Sequence, residues 1–105
     1  MLVAVTADGK KIVTLTTTGP SSYTTGGFRV TVPELQRILA LNVNIKVNQK
    51  DDNIVYALDY DYSGNTITFK AYKIDVTATA PSPWSEVSAG TNLSGIVINI
   101  TAIGV

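Results

Sequence analysis

The side chains that follow Asp59 are spaced as in a calcium-binding loop. Oxygen ligands fall at positions one, three and five and a glycine at position six (Asp59, Asp61, Ser63 and Gly64), which is how the loop of an EF-hand begins. The match fails at position twelve, where the loop needs a bidentate glutamate and this chain has Lys70. The flanking residues also alternate like strands, whereas an EF-hand has helices there. We therefore predict a hairpin turn, with weak calcium binding as the alternative.

Asp59 and Asp61 also form a candidate pair of catalytic carboxylates. Alternate residues on one strand face lie about 6.5 to 7 Å apart, within the carboxylate separation of inverting glycosidases. The acid of such a pair needs apolar burial to raise its pKa, whereas these two side chains border a solvated turn. The pair therefore does not predict an enzyme.

The residue types that the chain lacks exclude most other catalytic chemistry. Without histidine or cysteine, it has no thiol nucleophile, no Ser-His-Asp relay, no Cys or His metal site and no disulfide. Eight basic side chains balance eight acidic ones, without the basic cluster that nucleic-acid binding needs. The apolar run at 54–58 is far shorter than the ~20 residues of a spanning helix, and Thr6 and Asp8 come too early for a signal peptide. We expect a soluble protein without cofactors that binds neither nucleic acid nor membrane.

The aromatic side chains are the remaining candidates for a binding surface. Those on the apolar faces of predicted strands are expected in the core or at its rim (Tyr56, Tyr60 and Phe69). Four more are expected to be more exposed (Tyr23, Tyr62, Tyr72 and Trp84). Exposed aromatic rings stack on sugars or anchor protein interfaces.

Trp84 is the first candidate for an interface anchor. It follows Pro81 and Pro83, which stiffen the backbone and so reduce the ordering cost of binding. Both prolines are therefore included among the candidate interface residues. Tyr23, in a loop rich in glycine, serine and threonine, is the second candidate. The alternative for Trp84 is a side chain folded back over the end of the core.

The elements that must position these side chains are mostly strands. The chain holds 14 Thr, 12 Val and 10 Ile among 105 residues, and β-branched side chains favour sheets over helices. A hairpin is predicted around Asp8 and Gly9, and a three-stranded meander over three alternating segments (43–47, 54–61 and 66–74). A short strand is predicted at 28–30, and the apolar last strand at 96–103 should be central in its sheet.

One short helix is predicted near residues 33–40. A capping-box spacing is combined with a proline in the first turn (Thr31, Pro33 and Glu34). Apolar side chains then recur at i, i+3 and i+4 (Leu35, Ile38 and Leu39). The sequence thus predicts one all-β domain over residues 1–105, a β-sandwich or jelly-roll-like barrel with one short α-helix.

Three segments of the chain resemble small virion structural proteins of tailed bacteriophages. Residues 23–27 resemble a Tyr-x-Thr-Gly-Gly segment of that family, and residues 56–72 resemble its middle hairpin. Residues 86–95 resemble a Glu-Val-small-small-Gly-Thr-Asp-Leu-Ser run that precedes a last strand ending in Ala-Ile-Gly. Asn92 stands where aspartate is more usual, and the family's middle loop is often longer than residues 75–85.

This resemblance implies a non-enzymatic building block of a phage particle. The implied role is a capsid decoration or cement protein, made in the host cytoplasm, that binds the major capsid protein on the virion surface. Self-association, with a trimer as the expected form, follows from the limited core of one small domain. The alternatives are a carbohydrate-binding module, on the strength of the aromatic residues, and a tail or spike subunit of the same particle.

Overall fold

The computed structural model describes residues 2–48, 54–75 and 84–105. These ranges contain eight strands and no helix, arranged as two antiparallel sheets that pack together. The strands are β1 (Leu2–Val5), β2 (Lys11–Thr18), β3 (Phe28–Thr31), β4 (Ile38–Val47), β5 (Ile54–Ser63), β6 (Thr66–Asp75), β7 (Ser85–Glu86) and β8 (Ile96–Gly104). The predicted all-β, sandwich-like fold is confirmed. Within the same ranges, no helix is long and apolar enough to cross a membrane.

Strand β8 occupies the centre of the first sheet, whose order is β1-β2-β8-β4. It pairs antiparallel with β2 on one side and with β4 on the other. Its inward side chains are completely or almost completely buried (Ile96, Ile98, Ile100 and Ala102). The predicted central position of the last strand is confirmed, as is the first hairpin, in which β1 pairs with β2.

The second sheet is built on β6. Strand β5 pairs with β6 along its full length, and the short strands β3 and β7 pair with the opposite edge of β6. Because side chains alternate across a strand, Ile67, Phe69 and Ala71 of β6 turn inward and are buried. The even-numbered residues of β6 and the odd-numbered residues of β5 turn away from the first sheet, and we call this side the outer face.

The core lies between the two sheets and includes loop residues. Its buried members come from four strands and from the connecting loops (Val13, Tyr23, Val32, Leu35, Ile38, Ile67, Phe69, Ala71, Val87, Leu93, Ile96, Ile98, Ile100 and Ala102). Among the described residues, no polar or charged residue is buried. Tyr23 is the one buried residue of the core whose side chain carries a polar group, its hydroxyl. The fold therefore depends on apolar packing, which is the main favourable term in folding.

The predicted helix near residues 33–40 is wrong. Residues 32–35 form a turn in which the Leu35 N–H donates to the Val32 carbonyl oxygen (3.1 Å), and β4 begins at Ile38. Leu35 and Ile38 are both buried, so their spacing reflects one inward position in a turn and one in a strand. An isolated helix of two turns is marginal, whereas β4 gains a backbone ladder with β8 along nearly its whole length.

The predicted three-stranded meander is only partly correct. Strands β5 and β6 form the expected hairpin, but β4 lies in the first sheet, beside β8. Alternation shows that a strand has one buried face without showing which strand lies beside it. A meander also needs a turn between its first two strands, and the polar residues 50–53 that would form it lie outside the described residues.

Candidate interaction surface

Tyr23, predicted to be exposed, is buried in the core. Only 1% of the residue is exposed, and its ring packs edge-on against Phe28 with 6.4 Å between the ring centroids. The expectation of exposure is wrong because backbone hydrogen bonds fold the loop inward. The Tyr23 N–H donates to the Thr91 carbonyl oxygen (2.9 Å), and the Gly90 N–H donates to the Tyr23 carbonyl oxygen (2.8 Å).

The Tyr23 hydroxyl connects segments that are far apart in the sequence. It donates a hydrogen bond to Glu86 Oε2 (2.7 Å) and accepts one from the Ala71 N–H (3.2 Å). The Gly26 N–H donates to the same oxygen of Glu86 (2.8 Å). We call Tyr23, Gly26 and Glu86 the tyrosine clasp. The clasp joins residues 23–27 to residues 86–95, two of the segments that carry the family resemblance.

The clasp changes the pKa of both of its titratable groups. Burial, reinforced by the hydrogen bond to Glu86, raises the pKa of Tyr23 to about 12. The hydrogen bonds from Tyr23 and Gly26 favour the charged carboxylate and lower the pKa of Glu86 below its usual 4.5. Both shifts arise from burial and hydrogen bonds within the clasp.

Trp84 remains exposed, as predicted, with 48% of the residue accessible. It lines a shallow apolar hollow of about 270 Å³ with Ala57, Leu58, Asp59 and Tyr72. We call this the Trp84 hollow. Ala57 and Tyr72 are paired across β5 and β6, so the hollow lies on the outer face. Pro81 and Pro83, the other two predicted interface residues, lie outside the described residues.

A larger groove of about 400 Å³ shares Asp59 and Tyr72 with the hollow and takes in both outer-face residues and the inward-turned Tyr60 and Tyr62 of β5. It is lined by two carboxylates, two aliphatic hydroxyls, an ammonium group and three tyrosines (Asp59, Tyr60, Asp61, Tyr62, Ser63, Thr68, Lys70 and Tyr72). We call this the outer groove. The pairs Asp59–Lys70 and Asp61–Thr68 lie directly opposite each other across the two strands. The groove is therefore a mixed polar surface beside an apolar one.

The two aspartates of the groove bond to the backbone beside them. Asp59 Oδ1 accepts the Tyr60 N–H (3.0 Å), and Asp61 Oδ1 accepts the Tyr62 N–H (2.8 Å). Both carboxylates are exposed, without the apolar burial that a general acid needs. In the described part of the chain, no three acidic side chains cluster as a metal site. The segment that resembles a calcium loop is the β5–β6 hairpin, which turns at Gly64 (φ 59°).

Sequence reasoning missed Glu86 as the hydrogen-bond partner of Tyr23 and Tyr72 as a lining residue of the Trp84 hollow. Both depend on β7, which pairs Glu86 with Tyr72. A strand of two residues has no periodicity that a sequence could reveal. The only signal was that Tyr23 and Glu86 both belong to segments of the same family resemblance.

Comparisons with protein families, with curated proteins and with solved structures give no match to this chain. The outer face therefore has to be interpreted from its own chemistry. It combines an exposed tryptophan, an apolar hollow and a row of polar side chains, which are the components of a binding surface.

Proposed function

We propose that the protein is a non-enzymatic structural component of a bacteriophage particle. Its role is that of a capsid decoration or cement protein, which binds the major capsid protein and stabilises the shell from the virion surface. It is made in the host cytoplasm and associates with further copies of itself.

The arrangement of the resembling segments supports this proposal. Residues 23–27 and 86–95 are about 60 positions apart, and the tyrosine clasp brings them into contact through the 2.7 Å bond between Tyr23 and Glu86. Segments that meet in one hydrogen-bonded unit form a single structural feature. Their joint presence therefore favours kinship with the phage proteins more than separate short matches do.

The observation that carries the proposed contact is the exposure of Trp84 at the Trp84 hollow. Tryptophan is enriched among the residues that dominate binding energy, especially where neighbouring apolar surface loses water on association. Here the apolar surface is already in place, since Ala57 and Tyr72 line the same hollow. The outer groove beside it supplies the polar rim that surrounds such anchors.

Particle occupancy of Trp84→Ala tests this proposal. Purified protein is added to capsids that lack it, and bound copies are counted by quantitative mass spectrometry and particle reconstruction. Losing one such anchor typically costs about 2 kcal/mol or more, which corresponds to roughly 30-fold weaker binding. Val5→Ala is the matched control, because Val5 is an exposed apolar residue on the first sheet. Normal occupancy by Trp84→Ala would reject the outer face as the capsid contact.

Carbohydrate binding is the second candidate function. Tyr72 and Trp84 border the hollow next to the carboxylate of Asp59, and sugar sites combine an aromatic platform with hydrogen-bonding groups. A glycan array with wild type and Trp84→Ala separates the two functions. Saturable binding of one glycan class, lost in Trp84→Ala, would favour a carbohydrate-binding module over a capsid contact.

A further inference from the structure

Strand β5 differs from the other strands at the sheet edges. It is ten residues long, and its whole length pairs with β6 in an unbroken register. Within the described ranges no strand is hydrogen-bonded to its other edge, although part of β4 in the first sheet lies nearby. Such an edge is a template for pairing with another chain unless something blocks it.

The remaining sheet edges carry features that oppose strand addition. Strands β1, β3 and β7 have four, four and two residues, and short edge strands offer little to pair with. Strand β4 has an irregular register between Ile38 and Ala40 and carries Lys46, and bulges and lysines both protect edges. β5 contains no proline, no lysine and no bulge.

One half of the β5 edge is blocked by its own side chains. The N–H groups of successive residues in an edge strand point alternately toward the neighbouring strand and away from it. The N–H groups of Tyr60 and Tyr62 point away, because they donate to the carboxylates of Asp59 and Asp61. These two carboxylates accept the hydrogen bonds that the Tyr60 and Tyr62 N–H groups would otherwise donate to an added strand. We call the two carboxylates the edge caps.

The other half of the edge has no caps. Ile54, Tyr56 and Leu58 have the same alternation as Tyr60 and Tyr62, so their N–H groups also point away from β6. Among the described residues, none bonds to these three groups. Residues 54–58 are Ile-Val-Tyr-Ala-Leu and carry no charge. We call this segment the open edge.

We propose that two copies of the chain pair antiparallel through the open edge, about a two-fold axis at Tyr56. Ile54 then lies opposite Leu58 of the second copy, and Val55 lies opposite Ala57 of that copy. The segment is self-complementary because every pair is apolar, and a two-fold interface requires this property. The edge caps fix the extent of the pairing, since the backbone beyond Leu58 is already bonded to its own carboxylates.

This pairing rests on the proposed self-association and gives it a defined geometry, a two-fold pair in place of the trimer expected from the sequence. The two second sheets become one continuous sheet, and their outer faces lie on the same side, since pairing within a sheet preserves its faces. Two copies of the Trp84 hollow then face one partner surface together. Two linked weak contacts bind more tightly than either contact alone.

The experiment is to measure oligomeric state by sedimentation equilibrium over a wide range of concentrations. Wild type is compared with variants that add an edge cap or remove the existing ones. Wild type is expected to dimerise. Val55→Asp places a carboxylate directly before Tyr56, as Asp59 stands before Tyr60, and should weaken dimerisation at least tenfold. Val55 is 49% exposed, so the fold should tolerate this change. Asp59→Ala with Asp61→Ala removes the caps and should strengthen association.

Two controls separate the edge from general effects of charge and side-chain change. Val55→Thr keeps a β-branched side chain without charge and should dimerise like wild type. Val5→Asp adds the same charge to β1, where Val5 is 68% exposed, and should also leave the dimer intact. Circular dichroism confirms that each variant is folded.

Three results would overturn the proposal. They are a wild type that stays monomeric at every concentration, a Val55→Asp variant that dimerises like Val55→Thr, and a trimer that Val55→Asp leaves unchanged. A monomeric wild type with impaired capsid occupancy of Val55→Asp would instead assign the open edge to an extended segment of the capsid protein. Dimers that fail to bind capsids would reject the decoration function and leave the pairing standing.

Discussion

Tyr23 shows how one side chain in a loop can hold two distant segments together. Its ring fills part of the core. Its hydroxyl donates a hydrogen bond to the Glu86 carboxylate and accepts one from the Ala71 N–H. A buried polar group that loses its partner costs much more than an average hydrogen bond contributes. The clasp should therefore contribute to stability through the hydroxyl as well as through the ring.

We expect Tyr23→Phe to destabilise the fold by about 1–3 kcal/mol, because the buried Ala71 N–H loses its acceptor. The measurement is urea unfolding followed by circular dichroism. Tyr60→Phe is the matched control, since Tyr60 is partly exposed and the clasp does not use its hydroxyl. Equal stability of wild type and Tyr23→Phe would show that the clasp does not support the fold.

The clasp also predicts how stability depends on pH. Glu86 has a lowered pKa in the folded protein, so its contribution is present above its usual pKa of 4.5 and is lost as the pH falls below that value. Tyr23 has a raised pKa, so its contribution is complete below pH 10 and is lost as the pH rises toward about 12. Thermal unfolding between pH 2 and pH 12 should show both declines.

Tyr23→Phe is the control for this pH profile. It removes the alkaline decline due to Tyr23, because the buried phenol is gone, and it weakens the acid decline due to Glu86. A residual acid dependence should persist from Asp8, whose pKa the Thr6 hydroxyl and Lys10 lower to about 2. An unchanged alkaline decline in Tyr23→Phe would assign that decline to another tyrosine.

At the scale of elements, the loop before β3 depends on Gly27. Its φ is 113°, a region that other residues rarely adopt. A Cβ on Gly27 would also lie 2.3 Å from the carbonyl oxygen of Phe69, at the start of the pairing between β3 and β6. Glycine is therefore required there for two reasons, conformation and close approach.

Backbone strain alone costs about 1–3 kcal/mol at such a position. We expect Gly27→Ala to destabilise the fold by more than this, because the added Cβ also collides with the Phe69 carbonyl oxygen. Gly26→Ala is the matched control, because Gly26 also has a positive φ (97°) but has open space where a Cβ would be. Thermal unfolding of the two variants compares the effects. A smaller loss of stability in Gly27→Ala than in Gly26→Ala would contradict the close approach.

The β5–β6 hairpin should bind no calcium tightly. The potential ligands Asp59 and Asp61 bond to the backbone N–H groups beside them, and Lys70 lies opposite Asp59. We expect calorimetry to give no stoichiometric isotherm, and chelators to leave the unfolding temperature unchanged. A micromolar calcium site that Asp61→Ala abolishes would refute this interpretation of the hairpin.

The elements that could be predicted from the sequence are those with local signals. The β1–β2 and β5–β6 hairpins combine alternation with a glycine turn, and β8 shows its central place through its apolar face. The prediction of a helix near residues 33–40 was wrong because the same apolar spacing also fits a turn followed by a strand. The clasp and the Trp84 hollow could not be predicted, because each joins residues that only the sheet topology brings together.

At the scale of the whole molecule, the protein is an elongated body of 55 × 23 × 22 Å. Its core is a thin layer between two sheets, so each inward side chain of a central strand contributes strongly. We expect Ile98→Ala to destabilise the fold by about 2–5 kcal/mol, the usual cost of truncating a buried isoleucine. Val97→Ala on the outward side of β8 is the control, and urea unfolding provides the comparison.

The central position of β8 has a consequence for biosynthesis. The two strands that flank it, β2 and β4, leave the ribosome before it, and until it emerges they have no ladder partner between them. The first sheet therefore cannot be completed before β8 has emerged, and non-local pairing of this kind folds in milliseconds to seconds. During that interval the nascent chain exposes apolar strands, so its yield in the cell should depend on chaperones and on expression temperature.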